Sequence, residues 1–470
     1  MNALLRKELL ALLRDGRLVA LSLAVVALCG AVYGVESVRA AQAQAERAAV
    51  NSATRAQWDG QGDAHPHRAA HFGVYAFAPG SALAAFDPGI DAHVGRALWL
   101  EPHRRNFVRF SPAADEVYGG RLGDFAPAFV LAVLLPLLVV AAAYGCVASE
   151  RETGTLRLAR ALLARPARLV WAKFAATLLA VAGLASLAFV PVLLLPSGPG
   201  DAADTLVRWA ALYLVHLAYL AIFVALAVAV STAARTARQA LVVLLAAWLA
   251  FALVLPRAGA AAADASVELP TPEAFWAAIR RDYREGLPGD GTLAERSRAF
   301  DAELLRTHGV ERLEDLPFGA LAVRRLHRDA YADRVHALHF DELWRRYALQ
   351  ESVLRRVALA SPTVAVQLLS ARLAGTDLAH RRHFEDAAEA YRQRFNTHLD
   401  RWDAANTRGV TSFEERYAGD ALWRSVPPFE YRPPSAGFAL RAGAIEIAIL
   451  AGWLAGALGL LAVCARRWRT

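Results

Sequence analysis

The feature that most constrains this sequence is a series of apolar stretches, each long enough to cross a lipid bilayer. A membrane-spanning helix needs about 20 predominantly apolar residues to cross a hydrocarbon core about 30 Å thick. Hydrophobic residues make up 56% of the 470-residue chain and are concentrated in these stretches. The stretches run over residues 18–35, 125–147, 174–196, 206–230, 239–255 and 440–464. The sequence therefore predicts an all-α polytopic membrane protein with six transmembrane helices.

The basic residues of the short loops predict how these spans are oriented. Short cytoplasmic loops of membrane proteins carry an excess of lysine and arginine. Such residues occur before span one, between spans two and three, between spans four and five, and after span six, whereas the short link 197–205 has none. We therefore expect both termini, including the tail 465–470, in the cytoplasm.

This orientation places two long polar insertions outside the cytoplasm. The first, residues 36–124, begins with helical character and then becomes loop-rich. The second, residues 257–437, is predicted to be mainly helical. Helices are expected to start at Thr271 and Ser361, each an N-cap followed by proline, and at Asp377, just after Gly375.

Two segments on the cytoplasmic side are predicted to form short helices. Residues 1–17 place leucines on one face and basic side chains on another, which is typical of a helix lying along the membrane surface. An ordinary charged flank of span one is the alternative. In the region 148–173, Ser149 and Glu152 have the spacing of a capping box, so a helix is predicted from Ser149 to Leu163.

This cytoplasmic region resembles the coupling region of ABC-2 type permeases, the membrane subunits of ATP-binding-cassette exporters. The resemblance is carried by an E-R-E-x-G-T-L run and the serine before it. The residues are Ser149, Glu150, Arg151, Glu152, Thr153, Gly154, Thr155 and Leu156. The resemblance implies that this segment docks a separate ABC ATP-binding subunit. It also implies a second permease subunit, either identical or different.

Motifs in the two insertions resemble a subgroup of bacterial ABC-2 permeases with a large extracytoplasmic domain of unknown function. In the second insertion the motif residues are Ser361, Pro362, Thr363, Gly375, Thr376 and Asp377. The Phe86-Asp87-Pro88-Gly89 element of the first insertion is similar to the same group. The resemblance implies a multi-pass protein of the bacterial inner membrane with a role in export, and it supplies no substrate.

The lysine content excludes a phosphate-binding loop for ATP. Lys7 and Lys173 are the only lysines, and neither follows a glycine, so the motif G-x-x-x-x-G-K-[ST] is absent. We therefore expect a non-catalytic permease subunit that binds no cofactor directly, with ATP and Mg²⁺ held by the partner ATPase. Despite the net charge of +8, nucleic acid is not an expected partner, because no basic stripe is interleaved with aromatic residues.

Three polar residues in or beside the predicted spans are candidate functional residues. Glu446 lies within span six, and an intramembrane carboxylate is a functional candidate by default. We favour a structural interpretation, in which Glu446 lies near the membrane surface or pairs with Arg441. For His216 in span four, an interhelical hydrogen bond is preferred to a proton relay.

Five histidines lie close together in the first insertion: His65, His67, His71, His93 and His103. Imidazoles at this density could bind copper or zinc. Their spacing fits no known metal motif, however, so no metal site is predicted.

The sequence thus predicts the permease subunit of an ABC-2 type exporter. One alternative is a mechanotransmission or signalling membrane protein that an ATPase moves without solute transport. A weaker alternative is a membrane-bound, metal-dependent assembly factor that uses the loop histidines.

Overall fold

The computed structural model of the protein describes residues 2–107, 126–162, 165, 167–191, 201–410, 412 and 416–467. Within these residues helix dominates, and the named strands form a single two-stranded hairpin. Six helices are long and apolar enough to cross a membrane, which confirms the predicted number of spans in an all-α membrane protein. These candidate spans are Leu18–Asp59, Pro127–Glu152, Ala167–Phe189, Ala202–Ala233, Ala237–Ser266 and Ala444–Arg467.

The helices and strands are numbered here in chain order. The first half contains α1 (Asn2–Arg14), α2 (Gly16–Asp59), α3 (Pro66–Ala70), β1 (Val74–Phe77), β2 (Ala97–Leu100), α4 (Leu135–Ala143), α5 (Ala148–Glu152), α6 (Thr155–Leu162), α7 (Ala167–Phe189) and α8 (Ala202–Ala233). The second half contains α9 (Ala237–Leu249), α10 (Leu255–Ser266), α11 (Pro272–Glu285), α12 (Leu293–His308), α13 (Ala320–Ala358), α14 (Pro362–Ala374), α15 (Leu378–Asn406), α16 (Asp420–Ser425), α17 (Ala436–Ala442) and α18 (Ala444–Arg467).

The first span is longer than the apolar stretch that predicted it. Its helix, α2, has 44 residues and is therefore about 66 Å long at a rise of about 1.5 Å per residue. A hydrocarbon core is only about 30 Å thick, so span one and the helical start of the first insertion form one continuous rod. The third span begins earlier than predicted. Its helix, α7, starts at Ala167, seven residues before the apolar stretch, and residues 192–196 of that stretch lie outside the described residues.

Two of the spans contain a π-helical turn that ends two residues before a proline. Residues Val130–Leu134 form such a turn ahead of α4, and Ala250–Val254 form another between α9 and α10. A π-helical turn and a proline each release a backbone carbonyl from its usual i+4 donor. Because water is scarce in a membrane interior, other side chains must satisfy these carbonyls.

The helix starts predicted in the second insertion are confirmed. The Thr271 hydroxyl caps α11, the Ser361 hydroxyl caps α14, and the Asp377 carboxylate caps α15. Local chemistry explains this success, because each side chain accepts a hydrogen bond from a backbone N–H three residues ahead.

The apolar core of the helix bundle includes one helix that hydropathy alone did not single out. Short helix α14 lies within the predicted second insertion, yet Val364, Val366, Leu369 and Leu373 are buried in the same core as the candidate spans. This helix packs against α8 and α18. The region 257–437 is therefore joined to the bundle through a buried helix.

A second core lies beyond the bundle and joins the two predicted insertions. There Trp58, at the far end of α2, packs against Phe395 of α15 and Trp423 of α16. The antiparallel hairpin of β1 and β2, with Val74 opposite Leu100, contributes to the same core. The first insertion thus folds against α15 and α16.

Candidate functional site

The segment of residues 148–162, termed the E-R-E segment, forms two short helices rather than the single predicted helix. Helix α5 ends at Glu152, Gly154 has a left-handed φ of 78°, and α6 begins at Thr155. A glycine in this conformation commonly ends a helix. Leu163, the predicted end of the single helix, lies outside the described residues.

The predicted capping box at Ser149 is wrong, because Ser149 lies inside α5 and its side chain does not cap the helix. The buried hydroxyl of Ser231, at the end of α8, accepts hydrogen bonds from the N–H groups of Val147 (3.1 Å) and Ala148 (3.2 Å). A neighbouring span therefore supplies the cap, which ties the position of α5 to α8.

Arg151 makes a second connection from the E-R-E segment to α8. Its guanidinium donates to the carbonyl of Thr232 at 2.7 Å and also to the carbonyl of Ala234. The last carbonyls of a helix lack intrahelical donors and carry partial negative charge, so a guanidinium stabilises them. Arg151 thus acts within the protein rather than toward a partner.

An ion-pair cluster joins the E-R-E segment to α1 and α7, and we call Lys7, Glu8, Glu150 and Lys173 the Lys173 cluster. The ammonium of Lys173 is 3% exposed and lies 3.0 Å from a Glu8 oxygen and 2.8 Å from a Glu150 oxygen. Lys7 is exposed and lies 2.7 Å from Glu8. Burial alone would raise the pKa of Glu8, but the charges of Lys173 and Lys7 hold it below its usual value.

Several side chains of the E-R-E segment face outward. Glu152, Thr153 and Thr155 are exposed, and so is Leu158, whose exposed fraction is 65%. Leu156 of the same helix is buried in the bundle core. The segment therefore combines a fixed inner face with an outer face of charge and apolar surface.

A second charge network surrounds Glu446, and we call Glu351, Arg355, Arg372, Asp377 and Glu446 the junction network. Glu446 is fully buried, and one of its oxygens accepts from Arg355 at 2.8 Å and from Arg372 at 3.2 Å. Arg372 also pairs with Glu351 and, at 3.3 Å, with Asp377. The network connects α13, α14 and the start of α15 to span six.

The predicted partner of Glu446 is therefore wrong. Arg441 is exposed on α17, a separate short helix, and Glu446 uses two arginines distant in sequence instead. The carboxylate is held by guanidinium groups within the protein, and its structural role remains a prediction.

Thr376 connects the two predicted insertions. The Thr376 hydroxyl donates to the carbonyl of Asp87 at 3.0 Å, and its own carbonyl accepts from Ile90 N–H at 3.0 Å. A side-chain carbon added to Gly89 would meet the Thr376 carbonyl at 2.5 Å, so only glycine fits this approach. The Phe86–Gly89 element and the 375–377 motif are thus parts of one contact.

Ser361 satisfies a carbonyl that the π-helical turn of span five releases. In that turn the N–H of Leu255 bonds to the carbonyl of Ala250, which leaves Phe251 without its usual donor. The Ser361 hydroxyl donates to the Phe251 carbonyl at 2.7 Å.

Thr363 lies beside a second carbonyl that has lost its usual donor, in span two. Pro136 has no N–H to offer the carbonyl of Ala132. The hydroxyl of Tyr219, on α8, donates to that carbonyl at 2.6 Å and lies 2.9 Å from the Thr363 hydroxyl. Residues 361–363 therefore hold α14 against spans two, four and five.

His216 does not form the predicted interhelical hydrogen bond. Its Nδ1 contacts the carbonyl of Leu212, one turn earlier in the same helix, at 2.9 Å. The ring packs edge-on against Phe86 and Phe189. Its Nε2 is buried and has no hydrogen-bond partner among the described residues.

The fold brings three of the five loop histidines together, although their spacing suggested no metal site. Ligand atoms of His67, His71 and His103 all lie within 4.8 Å of one another. Of the other two, His65 caps α3 through its Nδ1, and His93 is exposed after the turn Gly89–Ala92.

Comparison with known proteins identifies one part of the chain. Residues 272–432 match the family described as Domain of unknown function (DUF3526). This region extends from α11 to the segment after α16 and includes Glu351, Arg355, Arg372 and Asp377 of the junction network, whereas the six candidate spans lie outside it. No curated protein matches the chain.

Proposed function

We propose that this protein is the membrane-spanning permease subunit of an ABC-2 type exporter, driven by a separate ATP-binding subunit. The single observation that carries the proposal is the E-R-E segment, whose inner face is fastened to three helices while its outer face is exposed. Arg151 and the Ser231 cap attach it to α8, and Lys173 attaches it to α7 and α1.

These attachments would let a force applied to the E-R-E segment reach distant parts of the protein. Ser231 lies near the end of α8 and Arg208 near its start, about 35 Å away along the helix at about 1.5 Å per residue. Arg208 donates to the carbonyls of Leu373 (3.2 Å) and Pro434 (2.6 Å). Helix α8 thus connects the E-R-E segment with both ends of the 373–434 region.

In this proposal the E-R-E segment lies on the cytoplasmic side of the bacterial inner membrane, as the basic loops predict. The ATP-binding subunit docks on its exposed face and holds ATP and Mg²⁺. A second permease subunit completes the complex, and the helices α11–α16 lie on the opposite side of the membrane.

Copurification tests the proposal. The full chain is purified from its native membrane in mild detergent, and bound proteins are identified and assayed for ATP hydrolysis. We expect an ATP-binding subunit to copurify with the wild type and to be lost from Glu152→Lys, because Glu152 is exposed. Glu311→Lys, which reverses an exposed carboxylate between α12 and α13, is the matched control and should retain the partner. Equal retention by both variants, or no ATP-binding partner at all, would contradict the proposal.

The connection through α8 also favours the second candidate function, mechanotransmission without solute transport. The same contacts would move α14 and the outer helices whether or not a solute passes. Reconstituted vesicles separate the two functions. ATP-dependent solute movement supports the exporter, and ATP hydrolysis accompanied by movement of α11–α16 alone supports mechanotransmission.

A further inference from the structure

We propose that His67, His71 and His103 form a binding site for a divalent transition-metal ion, with Zn²⁺ as the ion that fits the geometry. His67 lies in α3 and His71 directly follows it, so the two lie four residues apart on one face. His103 comes from the loop after β2. The Nε2 atom of His67 lies 3.3 Å from that of His71 and 3.2 Å from that of His103.

The two distances from His67 match the spacing of nitrogen ligands around zinc, and the ligand atoms of His71 and His103 lie within 4.8 Å of each other. Imidazole nitrogens bind Zn²⁺ at about 2.0–2.1 Å in tetrahedral sites, which places neighbouring nitrogens about 3.3–3.4 Å apart. Without an ion, His67 Nε2 faces two other Nε2 atoms, and one proton cannot form a linear hydrogen bond to both. An ion between the three rings would instead accept a lone pair from each.

The third histidine has the orientation of a metal ligand. His103 Nδ1 lies 2.7 Å from a carboxylate oxygen of Asp329 on α13, a contact that favours the proton on Nδ1 and leaves the Nε2 lone pair available. His103 is also the only non-glycine residue with positive φ among those that the structure describes, at 64°. Such conformations are uncommon and concentrate at functional sites.

The charges around the rings are compatible with a bound cation. Arg325 lies nearby, but it is paired with the carboxylates of Asp400 and Asp403.

The site is open to solvent on one side, since His71 and His103 are exposed. Three protein ligands therefore leave a fourth position for water or another ligand. Because Asp329 belongs to α13, a bound ion would also connect the first predicted insertion to the region matched as DUF3526.

Metal titration of the full-length protein tests the proposal. Protein purified in detergent is stripped with a chelator and titrated with Zn²⁺ against a chromophoric competitor, and Co²⁺ is used to record the absorption of a tetrahedral site. We expect one ion per chain in the wild type, at least a 100-fold loss of affinity in His67→Ala and His103→Ala, and about a 10–100-fold loss in Asp329→Asn. His93→Ala, an exposed histidine of the same insertion, is the matched control and should bind as the wild type does.

Circular dichroism of the metal-free proteins shows whether each variant folds. His71→Gln changes an exposed ring and provides a second test if His67→Ala fails to fold. Zinc binding that is absent from the wild type, or equally strong in His103→Ala and His71→Gln, would overturn the proposal.

Discussion

The Lys173 cluster and the junction network differ in burial and in connectivity. The Lys173 cluster has one buried ammonium between two carboxylates, and its second ammonium, that of Lys7, is exposed to solvent. In the junction network, two guanidinium groups hold three carboxylates, and Glu446 and Arg372 are only 0% and 3% exposed. The first cluster fastens the E-R-E segment, and the second fastens α13, α14 and α15 to span six.

This difference in burial predicts which set of ion pairs costs more free energy to break. Breaking a buried ion pair leaves a charge without compensation, whereas a pair at the surface can exchange its partner for water. We therefore expect the junction network to behave as a rigid joint. The Lys173 cluster can rearrange at lower free-energy cost, which would suit the docking of a partner that we propose for the E-R-E segment.

The largest expected effect comes from Arg372→Ala. Removal of this guanidinium leaves Glu351, Asp377 and Glu446 with one arginine fewer, and the free energy of unfolding should fall by about 3–5 kcal/mol. Titration with a denaturing detergent, followed by tryptophan fluorescence, measures this change. The half-exposed Arg382, which pairs with Asp341, provides the control, since Arg382→Ala should cost less than about 1 kcal/mol. Similar losses of unfolding free energy in the two variants would show that the buried junction network is no more stabilising than an exposed ion pair.

A smaller effect is expected from Lys173→Met. The variant loses two charged hydrogen bonds, to Glu8 and Glu150, but these carboxylates keep access to Lys7 and to solvent, so a loss of about 1.5–3 kcal/mol is expected. The same denaturation measurement applies. Lys7→Met, which removes the exposed lysine of the cluster, should change stability by less than about 1 kcal/mol. If Lys173→Met cost as much as Arg372→Ala, the cluster would be as rigid as the junction network.

The smallest effect is expected from Ser231→Ala, which removes the cap of α5. Loss of an N-terminal cap costs about 1 kcal/mol, and it should act locally because the ion pairs of the segment remain. Hydrogen exchange should become faster at residues 147–152 and stay unchanged in α14. The control is Ser52→Ala, whose hydroxyl bonds only to its own helix at Ala49. Unchanged exchange at residues 147–152 would show that Ser231 does not hold the segment.

Features with a local cause were predictable from the sequence. The caps at Thr271, Ser361 and Asp377 depend on residues three positions ahead, and the apolar stretches reveal the spans directly. The capping box at Ser149 failed because a serine more than 80 residues away took over that role.

The contacts of the candidate sites depend on residues that the fold brings together from distant positions. Glu446 pairs with arginines 91 and 74 residues earlier, and no periodicity in the sequence indicates them. The four-residue spacing of His67 and His71 was readable, but His103 lies 36 residues from His67 and joins them only through the fold. The burial of α14 was likewise hidden, since a 13-residue helix is too short to read as a span.

Site-specific photocrosslinking tests the central claim, that an ATP-binding subunit docks on the E-R-E segment. A photoreactive amino acid is placed either at Leu158, on the outer face of the segment, or at Leu359, after α13. These two leucines have almost the same exposure, 65% and 66%. After irradiation of the complex in native membranes, we predict an adduct with an ATP-binding protein from position 158 and none from position 359. An adduct from position 359, or none from position 158 in a complex that still copurifies intact, would contradict the account.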